Sequence, residues 1–296
     1  MSDSAVLAFD VGGTHVRGAR VGRAGEVFER ARRGTPQDDG AALIATLASL
    51  CSELDPTSTC SAVGVAMAGV LDRHAGCVRH SPSLGISDLP LVQELSAASG
   101  RGVVLINDVN AAALGEAQAL GESELAAIFV GTGVGTGFVC GGRLVEGQRG
   151  MAGEGGHVVH RWSGRPGTAG VDGCFESYLG GRALGQRAAE LGLGDTAHDL
   201  LAAWRRGAPE AQEAVQEALQ AMGAITELIV TLFDPARIVV GGGVAAGFPE
   251  LIDAARQAIA RHPLGDGRRD LPVQAAQTGD LAGLLGAAAR AHDPQL

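Results

Sequence analysis

The chain has 296 residues, of which 46% are apolar, and a formal net charge of −10. This acidic balance argues against a nucleic-acid-binding surface, because neutralising phosphates needs clustered basic side chains. All 23 basic residues are arginine, and a chain without lysine has neither a Walker-type phosphate loop nor Schiff-base chemistry.

The five cysteines are odd in number and lack C-x-x-C spacing, which is typical of reduced thiols in the cytoplasm rather than of a disulfide framework. No apolar run approaches the roughly 18 residues that a membrane helix needs. No basic segment precedes the first apolar strand. We therefore expect a soluble, cytoplasmic protein without membrane or nucleic-acid partners.

The first third of the chain predicts an antiparallel meander followed by alternating helices and strands. Residues 5–11 are an apolar, β-rich run, and two further strand-like runs follow it across short glycine turns. A helix is expected at 41–54 and a buried strand at 61–69. A second buried strand at 102–108 leads directly into a helix at 109–120.

The pattern of predicted elements in residues 5–27 is repeated at 125–147. Each segment has an apolar strand, a Gly/Thr turn, a second strand, a Gly-Arg turn and a third strand. Chance recurrence of glycine turns in a glycine-rich chain is the alternative, but the match extends through three strands. It predicts two related α/β lobes. The later elements are expected to be a helix at 209–233, a strand at 237–243, a helix at 248–261, a strand at 272–277 and a helix at 280–291.

Three glycine-rich motifs are candidate nucleotide sites. In "DVGGT", Gly12 and Gly13 expose backbone N–H groups to a phosphate, Thr14 adds a hydroxyl, and Asp10 can hold a hydrated Mg²⁺. "GTGVGTG" at 131–137 precedes a strand rather than a helix, which excludes a dinucleotide-binding fingerprint. A second phosphate-binding hairpin on an opposed lobe explains it instead; its candidate residues are Gly131, Thr132, Gly133, Gly135 and Thr136.

The third motif, "VVGGGV", ends a strand in Gly241, Gly242 and Gly243. Three glycines allow a nucleotide base or ribose to approach closely. A simple turn explains this motif nearly as well.

Polar residues with the chemistry of a hydroxyl-transfer site lie between these motifs. Asp108 follows a strand and begins a helix, where it is either a general base or an ordinary N-cap; the neighbouring Asn107 favours the first interpretation. Glu154 and His157 are three residues apart and are expected on one side of a turn. Together with Glu176 they suit the recognition of vicinal hydroxyls.

In this order, the motifs resemble the ROK family of sugar kinases and repressors, within the actin-like ATPase superfamily. The resemblance implies an α/β, two-lobed actin-like ATPase (ribonuclease H-like) fold with an interlobe cleft. It places the small lobe at 1–115 plus 281–296 and the large lobe at 116–280, and favours a homodimer. The first phosphate motif begins at residue 10, and we therefore expect no DNA-binding domain of the kind that the repressor branch carries.

The activity that the resemblance implies is ATP-dependent phosphorylation of a hexose hydroxyl, usually O6 of glucose or a close analogue. Asp108 is then the general base, and Asn107, Glu154, His157 and Glu176 match sugar-contacting positions. The glycine motifs match the ATP site, and Asp10 matches a carboxylate associated with Mg²⁺ through water.

The chain departs from the family pattern at its zinc motif, C-x-C-G-x-x-G-C. The corresponding residues here are Gly167, Ala169, Gly170, Gly173 and Cys174. A tetrahedral zinc site takes four ligands, and two of the three thiolates are missing. We therefore expect no structural zinc.

Two further departures lie near the expected sugar pocket: Ala68 replaces a common proline, and Ser83 a common asparagine. They leave open an amino or N-acyl sugar as acceptor, such as kanosamine, N-acetylglucosamine or N-acetylmannosamine. A non-catalytic sugar sensor is the alternative from another class. A dehydrogenase would require a helix after residues 131–137. Whether polyphosphate replaces ATP is also open.

Overall fold

A computed structural model describes residues 5–167, 170–262 and 270–296. These residues form two compact units. Unit 1 comprises Met1–Ser123, Gly141–Ala152 and Gln277–Leu296, and unit 2 comprises Glu124–Cys140 and Gly153–Ala276. The bounds of these units differ from the bounds of the two lobes predicted from the sequence. The division into lobes at 1–115 plus 281–296 and at 116–280 stays a prediction.

Unit 1 is built on a five-stranded sheet of order β3-β2-β1-β4-β8, beside a three-stranded sheet of order β5-β6-β7. Its strands are β1 (Val6–Val11), β2 (His15–Val21), β3 (Val27–Gly34), β4 (Ala62–Met67), β5 (Val70–Asp72), β6 (Cys77–Ser81), β7 (Ile86–Leu89), β8 (Gly102–Asn107) and β11 (Arg143–Leu144). Its helices are α1 (Gly40–Leu54), α2 (Leu91–Ser99), α3 (Asp108–Leu120) and α10 (Ala282–His292).

Strand β1 organises unit 1 because it is buried along almost its whole length, as expected of a strand covered on both faces. It pairs antiparallel with β2 and parallel with β4, and β4 pairs parallel with β8. Helix α1 begins where the side chain of Asp39 accepts a hydrogen bond from the N–H of Ala42. It buries a leucine-rich face in the core that includes Phe9.

The strands of unit 2 run in the order β10-β9-β12-β13. They are β9 (Leu125–Val130), β10 (Val134–Cys140), β12 (Arg237–Gly241) and β13 (Val273–Ala275). Its helices are α4 (Glu176–Leu179), α5 (Gly181–Glu190), α6 (Ala197–Arg205), α7 (Pro209–Phe233), α8 (Gly243–Gly247) and α9 (Glu250–Arg261). Strand β12 is parallel to both β9 and β13, whereas β10 is antiparallel to β9.

The predicted repeat is present in the order of strands: β1 and β2 form a hairpin with a glycine turn, as do β9 and β10. The third strands differ, since β3 has eight residues and β11 has two. The strand predicted at 237–243 ends at Gly241, and α8 comes between it and α9. The sheet β5-β6-β7 was not predicted. In the described part of the chain, no helix is both long and apolar enough to cross a membrane.

Candidate active site

The carboxyl ends of two strands, β1 and β8, bring the candidate residues of unit 1 to one edge of its sheet, since both strands run parallel to β4. Asp10 is the fifth residue of β1, the glycine turn follows β1, and Asn107 ends β8. In α/β folds, ligands bind outside the carboxyl ends of parallel strands. Asp10, the turn and Asp108 therefore belong to one candidate site in unit 1.

The first glycine turn, Gly12–Thr14, is fixed through its carbonyl groups. The hydroxyl of Thr35 donates to the Gly12 oxygen at 2.7 Å, and the side-chain amide of Gln37 donates to the Gly13 oxygen at 2.8 Å. Gly13 and Thr14 remain exposed at the tip of the turn. Because side chains outside the motif occupy these carbonyl groups, the turn is held without using the Thr14 hydroxyl.

Asp10 lies in an electrostatically unfavourable place for a carboxylate. Burial raises its pKa to about 6, and the nearby Asp108 and Asp280 add to the rise. Arg17 opposes them, with its Nη1 atom 3.8 Å from Asp10 Oδ2. The hairpin register explains this contact, since Arg17 lies directly opposite Asp10 on β2. The net effect disfavours the ionised carboxylate of Asp10 unless a further positive charge lies beside it.

Asp108 begins helix α3 but does not cap it. The side chain of Asn107 is the N-cap, accepting hydrogen bonds from the N–H groups of Val109 at 3.0 Å and Asn110 at 3.2 Å. Burial raises the pKa of Asp108, and hydrogen bonds from the backbone N–H groups of Val109 and of Asp108 itself only partly oppose this. An ordinary N-cap role for Asp108 is therefore excluded.

The glycine motifs of unit 2 also meet at the edge of a sheet. The Gly131–Gly133 turn follows β9, and Gly242 follows β12, which is the parallel neighbour of β9. Thr132, Gly242 and Gly243 are exposed there. As in unit 1, the arrangement leaves backbone groups accessible at the carboxyl ends of strands.

Gly135 and Thr136 lie inside β10 rather than in the turn. Thr136 is buried, and its hydroxyl donates to the carbonyl oxygen of Gly153 at 2.5 Å while accepting from the N–H of Gly155 at 3.1 Å. Both hydrogen bonds join the Thr136 hydroxyl to the segment that carries Glu154. They give no support to Thr136 as a phosphate ligand, and that assignment stays a prediction.

Glu154 and His157 come together across a single 3₁₀ turn, Gly155–His157. Their Oε2 and Nε2 atoms are 3.8 Å apart, and both side chains are partly exposed. The turn packs against β10 so closely that a Cβ at Gly156 would overlap the carbonyl oxygen of Val134. Nδ1 of His157 is buried and has no hydrogen-bond partner among the described residues.

Glu176 is tied to the second glycine turn. It begins helix α4, and its Oε2 atom accepts a hydrogen bond from the N–H of Val134 at 3.0 Å. A Cβ at Gly133 would overlap this carboxylate oxygen, so glycine at this position lets Glu176 reach the turn. The structure thus links a candidate sugar residue to a candidate phosphate motif within unit 2.

The residues at the zinc-motif positions do not form a metal centre in the part of the chain that the structure describes; Ala169 lies outside it. Cys174 is buried, with Sγ 3.2 Å from the hydroxyl of Ser177. No group of three or more histidine, cysteine or acidic side chains there is arranged to hold a metal ion. The donor set does not fit a tetrahedral zinc ion.

The family model of the ROK family matches residues 6–294. The chain belongs to the ROK family. A glucokinase of Streptomyces coelicolor is 32% identical to it, over 97% of this chain and 98% of the relative. This match and the fold together make the chain a ROK protein with the two-lobed actin-like ATPase fold.

Two solved ROK structures are similar along nearly the whole chain. The ROK hexokinase from Thermus thermophilus is 33% identical, has a TM-score of 0.88, and is matched over 97% of this chain and 98% of its own. The Streptomyces griseus glucokinase, solved in complex with glucose and AMPPNP, is 31% identical, has a TM-score of 0.78, and is matched over 97% and 99%.

Several residues that contact the candidate residues, or the segments next to them, were not predicted from the sequence. The contact of Arg17 could have been predicted from the sequence, because pairing of the two strands around "GGT" places Arg17 opposite Asp10. The contacts of Thr35 and Gln37 could not have been predicted, since these residues reach the first turn from the far end of β3. Arg161 and Glu217, which form an ion pair, are far apart in the sequence.

Proposed function

We propose that this protein transfers the γ-phosphoryl group of ATP to a hydroxyl group of a hexose. Family membership and the glucokinase and hexokinase relatives support a sugar kinase, and the AMPPNP complex of one of them supports ATP as the donor. The observation that carries the proposal is Asp108: a partly buried carboxylate whose pKa is raised by desolvation, on the sheet edge that also presents a glycine turn.

Asp108 is the general base in this proposal. Phosphoryl transfer depends mostly on positioning and on electrostatic stabilisation, with a carboxylate accepting the proton of the attacking hydroxyl. A base works best when its pKa is near the operating pH, and burial moves that of Asp108 in this direction. The proton of the sugar hydroxyl passes to Asp108 as the oxygen attacks the γ-phosphorus, the bond from that phosphorus to the bridging oxygen breaks, and ADP leaves.

The two glycine turns bind the phosphates of ATP, and Gly241–Gly243 receives the adenosine. Mg²⁺ carried with ATP neutralises charge on the phosphates. Asp10 fits a role beside that ion, since its carboxylate is desolvated and shares its surroundings with Asp108. We propose that Asp10 holds the ion through a water molecule.

Asn107, Glu154, His157 and Glu176 contact the sugar in this proposal. The Oδ1 atom of Asn107 already accepts two backbone hydrogen bonds, so its amide N–H groups are what it offers to a sugar oxygen. The two glutamates act as acceptors for sugar hydroxyl groups. His157 complements them because a neutral imidazole has one donor and one acceptor nitrogen.

Glucose, phosphorylated at O6, is the acceptor that we propose. The test is a coupled phosphorylation assay with glucose, mannose, kanosamine, N-acetylglucosamine and N-acetylmannosamine, using ATP or polyphosphate as donor. We expect the highest kcat/KM with glucose and ATP. Preference for an N-acyl or amino sugar would overturn the choice of acceptor, and no turnover with any sugar would overturn the kinase assignment.

We also propose that the protein is a homodimer without structural zinc. Elemental analysis of the purified protein and light scattering coupled to size exclusion test the two statements. One zinc per chain that survives chelation would overturn the first, and a monomer mass would overturn the second.

A further inference from the structure

Two short segments of unit 2, residues 157–161 and 173–176, pair with each other; we call them the paired arms. Val159 and Cys174 form an antiparallel bridge. The N–H of Phe175 donates to the Val158 oxygen at 3.1 Å, and the N–H of His160 donates to the Gly173 oxygen at 2.8 Å. His157 begins one arm and Glu176 ends the other, each two residues beyond the bridge.

So short a ribbon is not stable by itself, because isolated two-stranded β-structure is marginal in water. Within the described residues, no cluster of side chains is arranged to let a metal ion fasten the arms. Other side-chain interactions must therefore hold them against the rest of unit 2.

Helix α7 supplies one such interaction through Glu217. Its Oε1 atom accepts a hydrogen bond from Nη1 of Arg161 at 2.8 Å, and its other oxygen pairs with Arg165. Arg161 also donates through Nη2 to Gln220, at 2.9 Å. The side chain of Glu217 is 18% exposed, so this charge is largely withdrawn from water and its ion pairs are stronger than those at a surface.

The two guanidinium groups lie over the same aromatic ring. The guanidinium carbons of Arg161 and Arg165 are 5.1 and 5.5 Å from the centroid of Tyr178. The backbone N–H of Arg165 also donates to the Tyr178 hydroxyl at 3.1 Å. Tyr178 lies on α4, two residues after Glu176, so the contacts run without interruption from α7 to the helix that presents Glu176.

We propose that Glu217 is a positioning residue for the sugar site: it neutralises the two arginines, seats them on Tyr178, and thereby holds His157 and Glu176 in place. The inference rests on the proposed sugar contacts of those two residues. In this proposal Glu217 does not itself contact the sugar. Without its charge, two neighbouring guanidinium groups repel each other, and the paired arms lose their link to α7.

The test compares Glu217→Gln with Glu213→Gln, which changes an exposed glutamate one helical turn earlier on α7. For Glu217→Gln we expect the KM for the sugar to rise roughly 10–100-fold, because small misplacements of binding groups are this costly. The KM for ATP and kcat should stay within about twofold, which indicates loss of uniform sugar binding. Glu217→Asp should recover part of the loss, and Glu213→Gln should behave as wild type.

A second measurement does not depend on turnover. Trypsin cleaves after arginine, and Arg161 is followed by Trp162, which is 90% exposed. We expect faster cleavage at this bond in Glu217→Gln than in Glu213→Gln. Equal cleavage rates together with equal KM values would overturn the proposal.

A double-mutant cycle separates positioning from general destabilisation. If Glu217 acts through His157, Glu217→Gln should raise the sugar KM much less in a His157→Ala background than in the wild type. If the effects of the two substitutions on the sugar KM are fully additive, Glu217 has only a structural role. The same conclusion follows if kcat falls while the KM values for both the sugar and ATP rise. A wild type that phosphorylates no sugar would overturn the proposed function, while the cleavage test would still report on Glu217.

Discussion

The acidic candidate residues of units 1 and 2 are held in different surroundings. Asp10 and Asp108 lie where strands of the unit 1 sheet end, and burial raises the pKa of both. Glu154 and Glu176 lie in a loop and on a one-turn helix, and the side chain of Glu154 is 53% exposed. The surroundings of Asp10 and Asp108 shift the pKa of their carboxyl groups. Local turns instead set the direction of the Glu154 and Glu176 side chains.

This difference matches the two tasks of a sugar kinase. A group that takes up a proton needs a shifted pKa, and burial between packed elements supplies one at the expense of stability. A group that accepts hydrogen bonds from hydroxyls needs only the right direction, which a turn can give. The comparison therefore predicts large catalytic effects in unit 1 and milder, affinity-based effects in unit 2.

The largest effect is expected for Asp108→Asn. The amide has nearly the same shape but cannot accept the hydroxyl proton, so kcat should fall about 10³-fold while sugar binding persists. Steady-state kinetics and calorimetry of sugar binding measure the two quantities. Asp39→Asn, which changes an N-cap in the same unit, is the control; activity of Asp108→Asn close to that of this control would refute the assignment.

Asp10→Asn should stabilise the protein, with a defined dependence on pH. The pKa of Asp10 rises from 3.8 to about 6 on folding, so the stability linked to its proton is full below pH 3.8 and is lost as the pH rises through 6. At pH 8, without nucleotide or Mg²⁺, the substitution should raise the free energy of unfolding by about 1–3 kcal/mol. Urea unfolding at pH 8 and pH 3.5 measures this; an equal gain at both would contradict it.

Thr136→Val tests the loop geometry of unit 2. Removing the hydroxyl leaves the buried groups of Gly153 and Gly155 without their partner, which should cost about 1–3 kcal/mol of stability. Because those residues flank Glu154, the KM for the sugar should rise while the KM for ATP changes little. Thr136→Ser keeps the hydroxyl and should restore both properties. A raised KM for ATP alone would instead support Thr136 as a phosphate ligand.

The smallest effect on stability is expected for Glu154→Gln. Substitution of an exposed side chain should change the free energy of unfolding by less than about 0.5 kcal/mol. The KM for the sugar should still rise several-fold, since the amide accepts hydrogen bonds less strongly than the carboxylate. Thermal unfolding and kinetics of the same sample give both values, and a large loss of stability would contradict the comparison.

The sequence was sufficient for the elements whose patterns are local. Hydrophobic periodicity and turn residues predict the buried strands, the glycine hairpins and the long helix α7. The similarity of the two hairpins predicted the repeat. The short sheet β5-β6-β7 was missed because its strands have three to five residues, too few to show a period.

The placement of the candidate residues was predictable at strand ends and unpredictable where it depends on distant partners. Asp108 followed from its place between a strand and a helix. Its pKa shift did not, since that depends on how deeply folding buries the carboxyl group. The pairing of Arg161 with Glu217 joins residues 56 positions apart, and no spacing rule in a single sequence connects them.

Tyr178, whose ring contacts two guanidinium groups and which lies on the helix of Glu176, is the only tyrosine of the chain. Biosynthetic incorporation of fluorotyrosine would therefore give a protein with a single ¹⁹F resonance. That nucleus would lie close to both cations, so its chemical shift would follow their distance from the ring. One spectrum, recorded during a sugar titration, would then report whether ligand binding tightens the packing around Tyr178.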